Sequence, residues 1–381
     1  MAQDIYEKLA KHLDNLPGSF PRTKSGVELR ILRRLFTPEE AKLAVHLALI
    51  PEGAPIIARR AKMPVEKATK MLQDMNMKGL VIGFQPKGQA MQFMAQQFIV
   101  GFWESQVNSL TKELVEEFEE YLPALYDPDT WKKTPQMRTI PVGASIEVKP
   151  EAMPYERAEE IVRKHKAFAI SNCICRQEFK IMGKGCDKPE ESCLQLGFAA
   201  SAVVQAGRGR AITREETLAI LKRADEAGLV LQPANAKDPL FICMCCGCCC
   251  GVLRLLKMHP KPAEMASSPF VASLDTETCK GCGKCVKRCQ MEAISVDKNV
   301  DKDKRKAILN LDRCIGCGLC VSTCPTKSLT LLRKPEGQQT YVPKDIIETQ
   351  INLGKTRGKL SIPKLIGMQV KSKIDRLMTQ K

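Results

Sequence analysis

The sequence predicts a multidomain α+β protein: an N-terminal domain of helices followed by a β-hairpin, a central cysteine-rich and mainly helical module, and a second cysteine-rich module near the C-terminus. A length of 381 residues suits two or three domains. All eighteen cysteines lie between Cys173 and Cys324, whereas helical periodicity and then two short strands occupy the first hundred residues. We therefore divide the chain into residues 1–122, a linker at 123–154, the central module at 155–268, the second cysteine-rich module at 269–333 and a basic tail at 334–381.

The clustering of cysteines favours metal binding over disulfides. The N-terminal segment lacks the basic and apolar regions of a secretory signal, and no stretch of the sequence is apolar enough to cross a membrane. We therefore expect a cytoplasmic protein, with a peripheral place on the inner membrane as the alternative, in which a reducing environment keeps the thiols free. The net charge of +16 suits nucleic acid, an anionic membrane surface or an acidic protein as partner, although part of it would balance thiolates bound to metal.

The first domain contains the signals of a helix-turn-helix followed by a hairpin. Thr37 and Pro38 mark one helix start, Pro64 begins a later helix, and Gly79 follows its end. The segments LVIGF and QAMQFM then predict two strands joined by a turn. Over residues 25–100 this order resembles the winged-helix domains of MarR-like regulators.

The winged-helix resemblance implies a surface that binds either DNA or protein. The helix expected to read DNA carries Lys67, Lys70 and Lys78 but no arginine for guanine edges. Arg59, Arg60 and Lys62 precede that helix, where they are placed to contact phosphates. We expect a protein-docking module, with DNA binding as the alternative, because a fold does not fix a function.

Two further features separate the first domain from the cysteines. Apolar side chains at steps of three and four predict a striped helix over 103–122, which is typical of core or of a homodimer seam; they are Trp103, Val107, Leu110, Leu114, Phe118 and Tyr121. The proline-rich segment 123–154 predicts an extended linker with one strand at TIPVGASIEV.

The strongest motif is a repeated cysteine spacing. Residues 279–289 have the sequence CKGCGKCVKRC, and residues 314–325 have the sequence CIGCGLCVSTCP, so each run is C-x2-C-x2-C-x3-C. This spacing closely resembles bacterial two-[4Fe-4S] ferredoxins over about residues 270–332, and it implies a dicluster ferredoxin-like domain. In that family the fourth cysteine of each run binds the other cluster. The resemblance therefore assigns cluster 1 to Cys279, Cys282, Cys285 and Cys324, and cluster 2 to Cys314, Cys317, Cys320 and Cys289.

The sequence of this module departs from the family at one point. Gln290 stands where proline usually follows the fourth cysteine, although no ligand is lost. The insert VDKNVDKDKRKAILNL between the runs predicts a charged hairpin. Zinc is the alternative to iron–sulfur, but a zinc site needs four ligands from two C-x2-C pairs, whereas each run here already has four cysteines at ferredoxin spacing.

Ten more cysteines lie in the central module, and their ligand sets stay open at this point. The first set is Cys173, Cys175, Cys186 and Cys193, and the second is Cys243, Cys245, Cys246, Cys248, Cys249 and Cys250. The first set is sufficient for one cubane, and the second contains a ferredoxin-like spacing at Cys243, Cys246 and Cys249; exchange of ligands between the sets is the alternative. We expect one or two further clusters, up to four in the chain, with structural zinc as the alternative.

No motif for a substrate site accompanies these cysteines. The sequence has no flavin or nicotinamide fingerprint, no complete P-loop and no catalytic residue that we assign. The tail contains a basic amphipathic helix with Leu365, Ile366, Val370, Ile374 and Leu377 on one face, which suits a membrane surface, an acidic partner or its own domain.

We therefore expect an iron–sulfur electron-transfer protein that serves redox partners. We expect the protein to be a ferredoxin-like subunit or partner of a larger anaerobic oxidoreductase complex, because oxygen damages exposed low-potential clusters. One alternative is a redox-sensing winged-helix transcription regulator. The other is a reductase whose central cluster binds a substrate.

Overall fold

The computed structural model describes residues 4–86, 88–145, 153 and 156–379. The chain divides into two compact units, which are described separately. The first consists of Met1–Asp127 together with Gln350–Lys381, and the second is Pro128–Thr349. The fold mixes helices and strands, as an α+β protein requires.

The N-terminal part of the first unit is mainly helical. Its helices are α1 (Ile5–Asp14), α2 (Val27–Leu35), α3 (Pro38–Ala44), α4 (Ala54–Ala61), α5 (Val65–Met77) and α6 (Lys112–Tyr121). Its strands are β1 (Glu52–Gly53), β2 (Val81–Phe84) and β3 (Gln92–Ala95), which form an antiparallel sheet in the order β1-β3-β2. The predicted helices and hairpin strands of this region are therefore present.

The helix signals in this region act as the sequence predicts. The Thr37 side chain accepts a hydrogen bond from the Glu40 backbone N–H, and the Glu40 carboxylate accepts one from the Thr37 backbone N–H, which forms a capping box at the start of α3. Helix α5 begins directly after Pro64. Gly79 follows its end with a φ of +74°, a left-handed conformation that ends a helix at little steric cost.

The apolar stripe predicted at 103–122 is largely buried, but it does not lie on one helix. Helix α6 begins only at Lys112, and Asn108 has a φ of +71°, which a right-handed helix cannot contain. The Trp103 ring stacks on the Phe118 ring with the centroids 3.9 Å apart. The predicted helix boundary is therefore wrong. Most side chains of the stripe that suggested a homodimer seam pack in the core of the first unit.

The second unit contains the cysteines. Its helices are α7 (Pro128–Lys133), α8 (Ala158–Lys164), α9 (Ile174–Ile181), α10 (Phe198–Gln205), α11 (Arg214–Glu226), α12 (Gly251–Met258), α13 (Pro262–Met265), α14 (Lys284–Arg288), α15 (Leu319–Ser322) and the start of α16 (Ile346–Thr356). Its strands are β4 (Phe168–Asn172), β5 (Glu191–Leu196), β6 (Arg210–Ile212), β7 (Val230–Pro233), β8 (Phe241–Cys245), β9 (Phe270–Leu274), β10 (Ile294–Val296), β11 (Ala307–Leu309) and β12 (Leu329–Arg333).

A five-stranded antiparallel sheet organises the central module, in the order β6-β4-β5-β8-β7. The prediction of a mainly helical module missed this sheet. Strand β8 explains part of the error, because Ile242 and Met244 are buried while Cys243 and Cys245 alternate with them along the strand. Because cysteines occupy alternate positions at the end of this strand and most positions directly after it, the sequence does not show a clear alternation of apolar and polar residues.

The described residues 128–145 of the segment predicted as an extended linker pack against the second unit. Met137 forms an isolated β-bridge with Ala234, and Ile140 forms one with Leu231. Ile140 and Val142 are fully buried, so this segment extends the core of the second unit. The described part of the predicted strand at 139–148 makes only this bridge, and residues 146–152 and 154–155 lie outside the described residues.

The second cysteine-rich module consists of two short antiparallel pairs with α14 and α15. Strand β9 pairs with β12, and β10 pairs with β11. The β10–β11 pair is the charged hairpin that the insert predicted, and that prediction is confirmed.

The chain ends on α17 (Ile362–Thr379), which belongs to the first unit. The predicted tail helix is therefore present, but Ser372 and Asp375 are its buried side chains, while Ile366 and Val370 are exposed. Among the described residues, no helix has the length and hydropathy needed to cross a bilayer.

Candidate metal centres

The eight cysteines of the two repeated runs line two separate cavities. One cavity is lined by Cys279, Cys282, Cys285 and Cys324. The other is lined by Cys289, Cys314, Cys317 and Cys320. Each cavity thus takes three cysteines from one run and the fourth from the other run, which is the crossed arrangement that the ferredoxin resemblance implies.

Two glycines let the loops approach neighbouring backbone at these cavities. Gly281 has a φ of +57°, and a Cβ there would lie 2.4 Å from the carbonyl oxygen of Arg305. Gly316 has a φ of +69°, and a Cβ there would lie 2.2 Å from the carbonyl oxygen of Phe270. Glycine at these positions avoids both the strain of a left-handed backbone and a clash.

Backbone N–H groups point at several of the cysteine sulfurs. Ala293 donates to the Cys289 Sγ at 3.1 Å, Ala272 donates to the Cys314 Sγ at 3.4 Å, and Ala307 donates to the Cys279 Sγ at 3.4 Å. Such dipoles stabilise negative charge on thiolates, and they tune the reduction potential of any cluster bound there.

The two cavities differ in their exposure to solvent. In the first, Cys282 is exposed, and the pKa of Cys324 is lowered because hydrogen bonds from the Thr326 hydroxyl and nearby N–H groups outweigh its burial. In the second, burial raises the pKa of Cys317 to about 12 and also raises that of Cys320. A thiol must lose its proton to bind metal, so metal binding at the second cavity supplies the energy that ionises these buried groups.

Comparison with known proteins agrees with this geometry. Residues 278–328 match the family model of the 4Fe-4S dicluster domain. This chain is an iron–sulfur protein that binds [4Fe-4S] clusters. Neither the search of curated proteins nor the search of solved structures found a match.

The ten central cysteines separate into two groups that differ from the sets in the sequence. Neighbouring thiols that shift one another's pKa link Cys173 with Cys175, Cys175 with Cys250, Cys250 with Cys245, Cys245 with Cys243, and Cys243 with Cys193. We call these six residues the six-thiol group. The four-thiol group consists of Cys186, Cys246, Cys248 and Cys249.

This division follows from the elements that carry the cysteines. Cys193 on β5 is directly opposite Cys243 on β8, whereas Cys246 and Cys249 lie in the turn beyond β8. The three cysteines of the ferredoxin-like spacing therefore do not share a group: Cys243 belongs to the six-thiol group, whereas Cys246 and Cys249 belong to the four-thiol group. Cys186 lies in the group formed mainly by the second sequence set, so cysteines of both sets meet in each group.

Sequence reasoning missed Arg176, a buried cation between the two groups. Its guanidinium donates to the Met244 carbonyl at 2.9 Å and to the Pro189 carbonyl at 2.8 Å, and it lies close enough to Cys246 for that thiol to raise its pKa. Burial opposes its charge, yet neighbouring cysteines, Cys173 foremost, raise its pKa overall. An arginine directly after Cys175 in the sequence was the available signal for this role.

Gln290 joins the central module to the dicluster module. The backbone N–H of Gly247 donates to the Gln290 Oε1 at 2.7 Å. Arg288 adds a second link, since its guanidinium pairs with Asp225 on α11 at 2.8 Å. The glutamine that replaces the usual proline thus provides an acceptor for the cysteine-rich turn.

We predict that Gly247→Ala weakens this junction. A Cβ at position 247 would lie 2.1 Å from the carbonyl oxygen of Gln290, so the two modules must move apart. Thermal unfolding of the second unit, followed by loss of visible iron–sulfur absorbance, should reveal a loss of about 1–3 kcal/mol.

Gly337→Ala is the matched control, because a Cβ at position 337 has no atom within 4 Å and should leave the transition unchanged. Identical unfolding curves for the two variants would contradict a tight contact at Gly247.

Proposed function

We propose that this protein transfers single electrons between redox partners through several [4Fe-4S] clusters. Two clusters are held by the cavities described above, one by Cys279, Cys282, Cys285 and Cys324 and the other by Cys289, Cys314, Cys317 and Cys320. The observation that carries the proposal is the crossed placement of these eight cysteines in one unit that also holds ten more. A bound cluster supplies reversible uptake of one electron, and the chain tunes its potential.

The six-thiol group extends this proposal to a third cluster. Four of its six thiols are sufficient ligands for a cubane, and Arg176 offsets the negative charge that bound thiolates carry. The link between Gly247 and Gln290 supports transfer between the central module and the second cavity, since Gln290 follows the ligand Cys289 directly. The exposed Cys282 makes the first cavity the point at which a partner protein accepts or donates electrons.

The first unit serves in this proposal as a winged-helix docking domain. Helices α4 and α5 followed by β2 and β3, with β1 paired to β3, support that interpretation. A larger oxidoreductase complex in an anaerobic setting is the partner that we propose.

The winged-helix topology also favours a second candidate, a redox-sensing transcription regulator. The charges on the expected DNA-reading surface argue against it. Lys67 pairs with Glu39 at 3.0 Å, and Lys78 pairs with Glu40 at 2.7 Å. Arg60, which the sequence placed near phosphates, pairs instead with Glu52 at 2.6 Å. These ion pairs compete with contacts to DNA.

We expect protein purified without oxygen to carry at least about eight iron atoms with matching sulfide, and to be reduced and reoxidised reversibly. Electron paramagnetic resonance of the dithionite-reduced sample detects the reduced clusters, and stoichiometric electron delivery to a viologen dye tests transfer. Clusters that cannot be cycled would contradict the proposal. A salt-dependent shift of duplex DNA by the same sample would favour the regulator instead.

A substitution at one cavity should leave the other cluster in place. Cys282→Ala removes a ligand from the first cavity and should lower the iron content by about four per chain, while the signal of the second cluster remains. Lys280→Ala is the control, because this neighbouring side chain is exposed and is not a proposed ligand. Unchanged iron in Cys282→Ala would rule out the ligand assignment.

A further inference from the structure

The four-thiol group is more compact than a cubane site. The Cys249 Sγ lies 3.6 Å from the Cys186 Sγ and 3.7 Å from the Cys248 Sγ. The Cys186 and Cys246 sulfurs are 4.0 Å apart, and all four lie within 4.8 Å of one another. Such mutual proximity is the condition for four sulfurs to bind the same atom.

The sulfur separations distinguish a single ion from a cluster. Zinc bound by four thiolates at about 2.3 Å requires sulfurs about 3.8 Å apart, which is the edge of the tetrahedron. A cubane holds its cysteine sulfurs further apart, because each thiolate binds a different iron. The dicluster module provides an internal comparison: among the described residues, no three of its cysteine sulfurs lie within 4.8 Å of one another.

We propose that Cys186, Cys246, Cys248 and Cys249 hold one tetrahedral zinc ion. Four thiolates around Zn²⁺ carry two negative charges in excess, and the nearby buried guanidinium of Arg176 offsets part of them. The site does not depend on the electron-transfer proposal, because zinc has no redox chemistry.

The position of the four-thiol group assigns the ion a structural role. Cys186 lies in the loop between α9 and β5, while the other three ligands lie in the turn between β8 and α12. Zinc therefore fastens two loops that flank the paired strands β5 and β8. The same turn presents Gly247 to Gln290, so the ion fixes the surface on which the dicluster module rests.

The test is metal content of the full chain grown with both iron and zinc. We expect one zinc per chain, with X-ray absorption showing four sulfur neighbours at about 2.3 Å. Cys186→Ser and Cys248→Ser should lose the zinc and keep the iron and sulfide. Cys193→Ser is the matched control, since this cysteine belongs to the six-thiol group and should keep the zinc.

Several outcomes would overturn the proposal. Absence of zinc from the wild-type chain would do so, as would a loss of about four iron atoms with sulfide in Cys186→Ser. Loss of one iron without sulfide would assign the site to iron instead. If the variants fail to fold, the absorption spectrum of the intact wild-type protein still decides, because it needs no substitution.

Helix α17 supports a second and independent inference. Its contact with α4 is polar: Asp375, the only acidic residue of the helix, accepts hydrogen bonds from Arg60 at 2.6 Å and from Arg59. The opposite face displays an apolar row, and each of its side chains is more than half exposed: Ile362, Ile366, Val370, Ile374 and Leu377. Because the polar face of α17 contacts α4, α4 does not bury this apolar row.

We further propose that this row binds an anionic membrane surface. The exposed side chains of Lys371, Lys373 and Arg376 flank it, while the one carboxylate of the helix is paired and buried on the other side. An aliphatic row bordered by cations matches the interface of an anionic bilayer, where apolar side chains enter the acyl region and cations meet headgroups.

The test is cosedimentation of the full chain with vesicles. Wild-type protein should bind vesicles that contain phosphatidylglycerol and bind pure phosphatidylcholine weakly. Ile366→Glu should weaken binding by about tenfold or more, because it places a charge in the apolar row. Gln369→Glu adds the same charge beside the row and should have a smaller effect.

Equal binding by the two variants, or none by the wild type, would overturn the membrane proposal. A dimer in light scattering that dissociates in Ile366→Glu would assign the row to a second copy of the chain.

Discussion

The second unit depends on the burial of thiol groups that become negatively charged when they bind metal. Removing so many thiols from water is costly unless metal, N–H groups or cations compensate the charge. The chain supplies the protein part of that compensation with backbone donors at the dicluster cavities and with Arg176 between the central groups. The central thiols raise and lower one another's pKa values, whereas bound metal requires each of its thiol ligands to be ionised.

This constraint explains why the central module contains a sheet. Strands hold residues at fixed separations over long sequence distances, and β5 and β8 bring Cys193 opposite Cys243. The starts of two helices position two more thiols, since Cys173 is the N-cap residue of α9 and Cys250 is the N-cap residue of α12. The positions of these four thiols are thereby set by backbone hydrogen bonds rather than by the thiols themselves.

The sequence predicts some of these features well and others poorly, for physical reasons. The crossed quartets were predicted from the ferredoxin resemblance: loops of two residues bring three thiols of each run together, and the family pattern places the fourth in the other cavity. Capping at Thr37 is likewise local and was predictable. The grouping of Cys186 with Cys246 depends on pairing between distant strands, which spacing does not encode. The predicted helix over 103–122 is interrupted at Asn108 by a left-handed backbone conformation that apolar periodicity cannot reveal.

The helix at the C-terminus was predicted as an element but not in its orientation. Periodicity identifies an apolar face without saying which face meets the rest of the protein. Here the ion pairs of Asp375 with Arg59 and Arg60 determine which face of α17 meets α4. The paired residues lie far apart in the sequence, so periodicity within the helix does not reveal the contact.

Cys245 and Cys246 are consecutive residues, yet they belong to different thiol groups. If both groups bind metal as proposed, the peptide bond between them couples the loading of one group to the loading of the other. Filling either group fixes the backbone on one side of this bond and reduces the conformational entropy that remains to be lost at the other. Loading of one group should therefore favour loading of the other, although each group has enough thiols to be filled by itself.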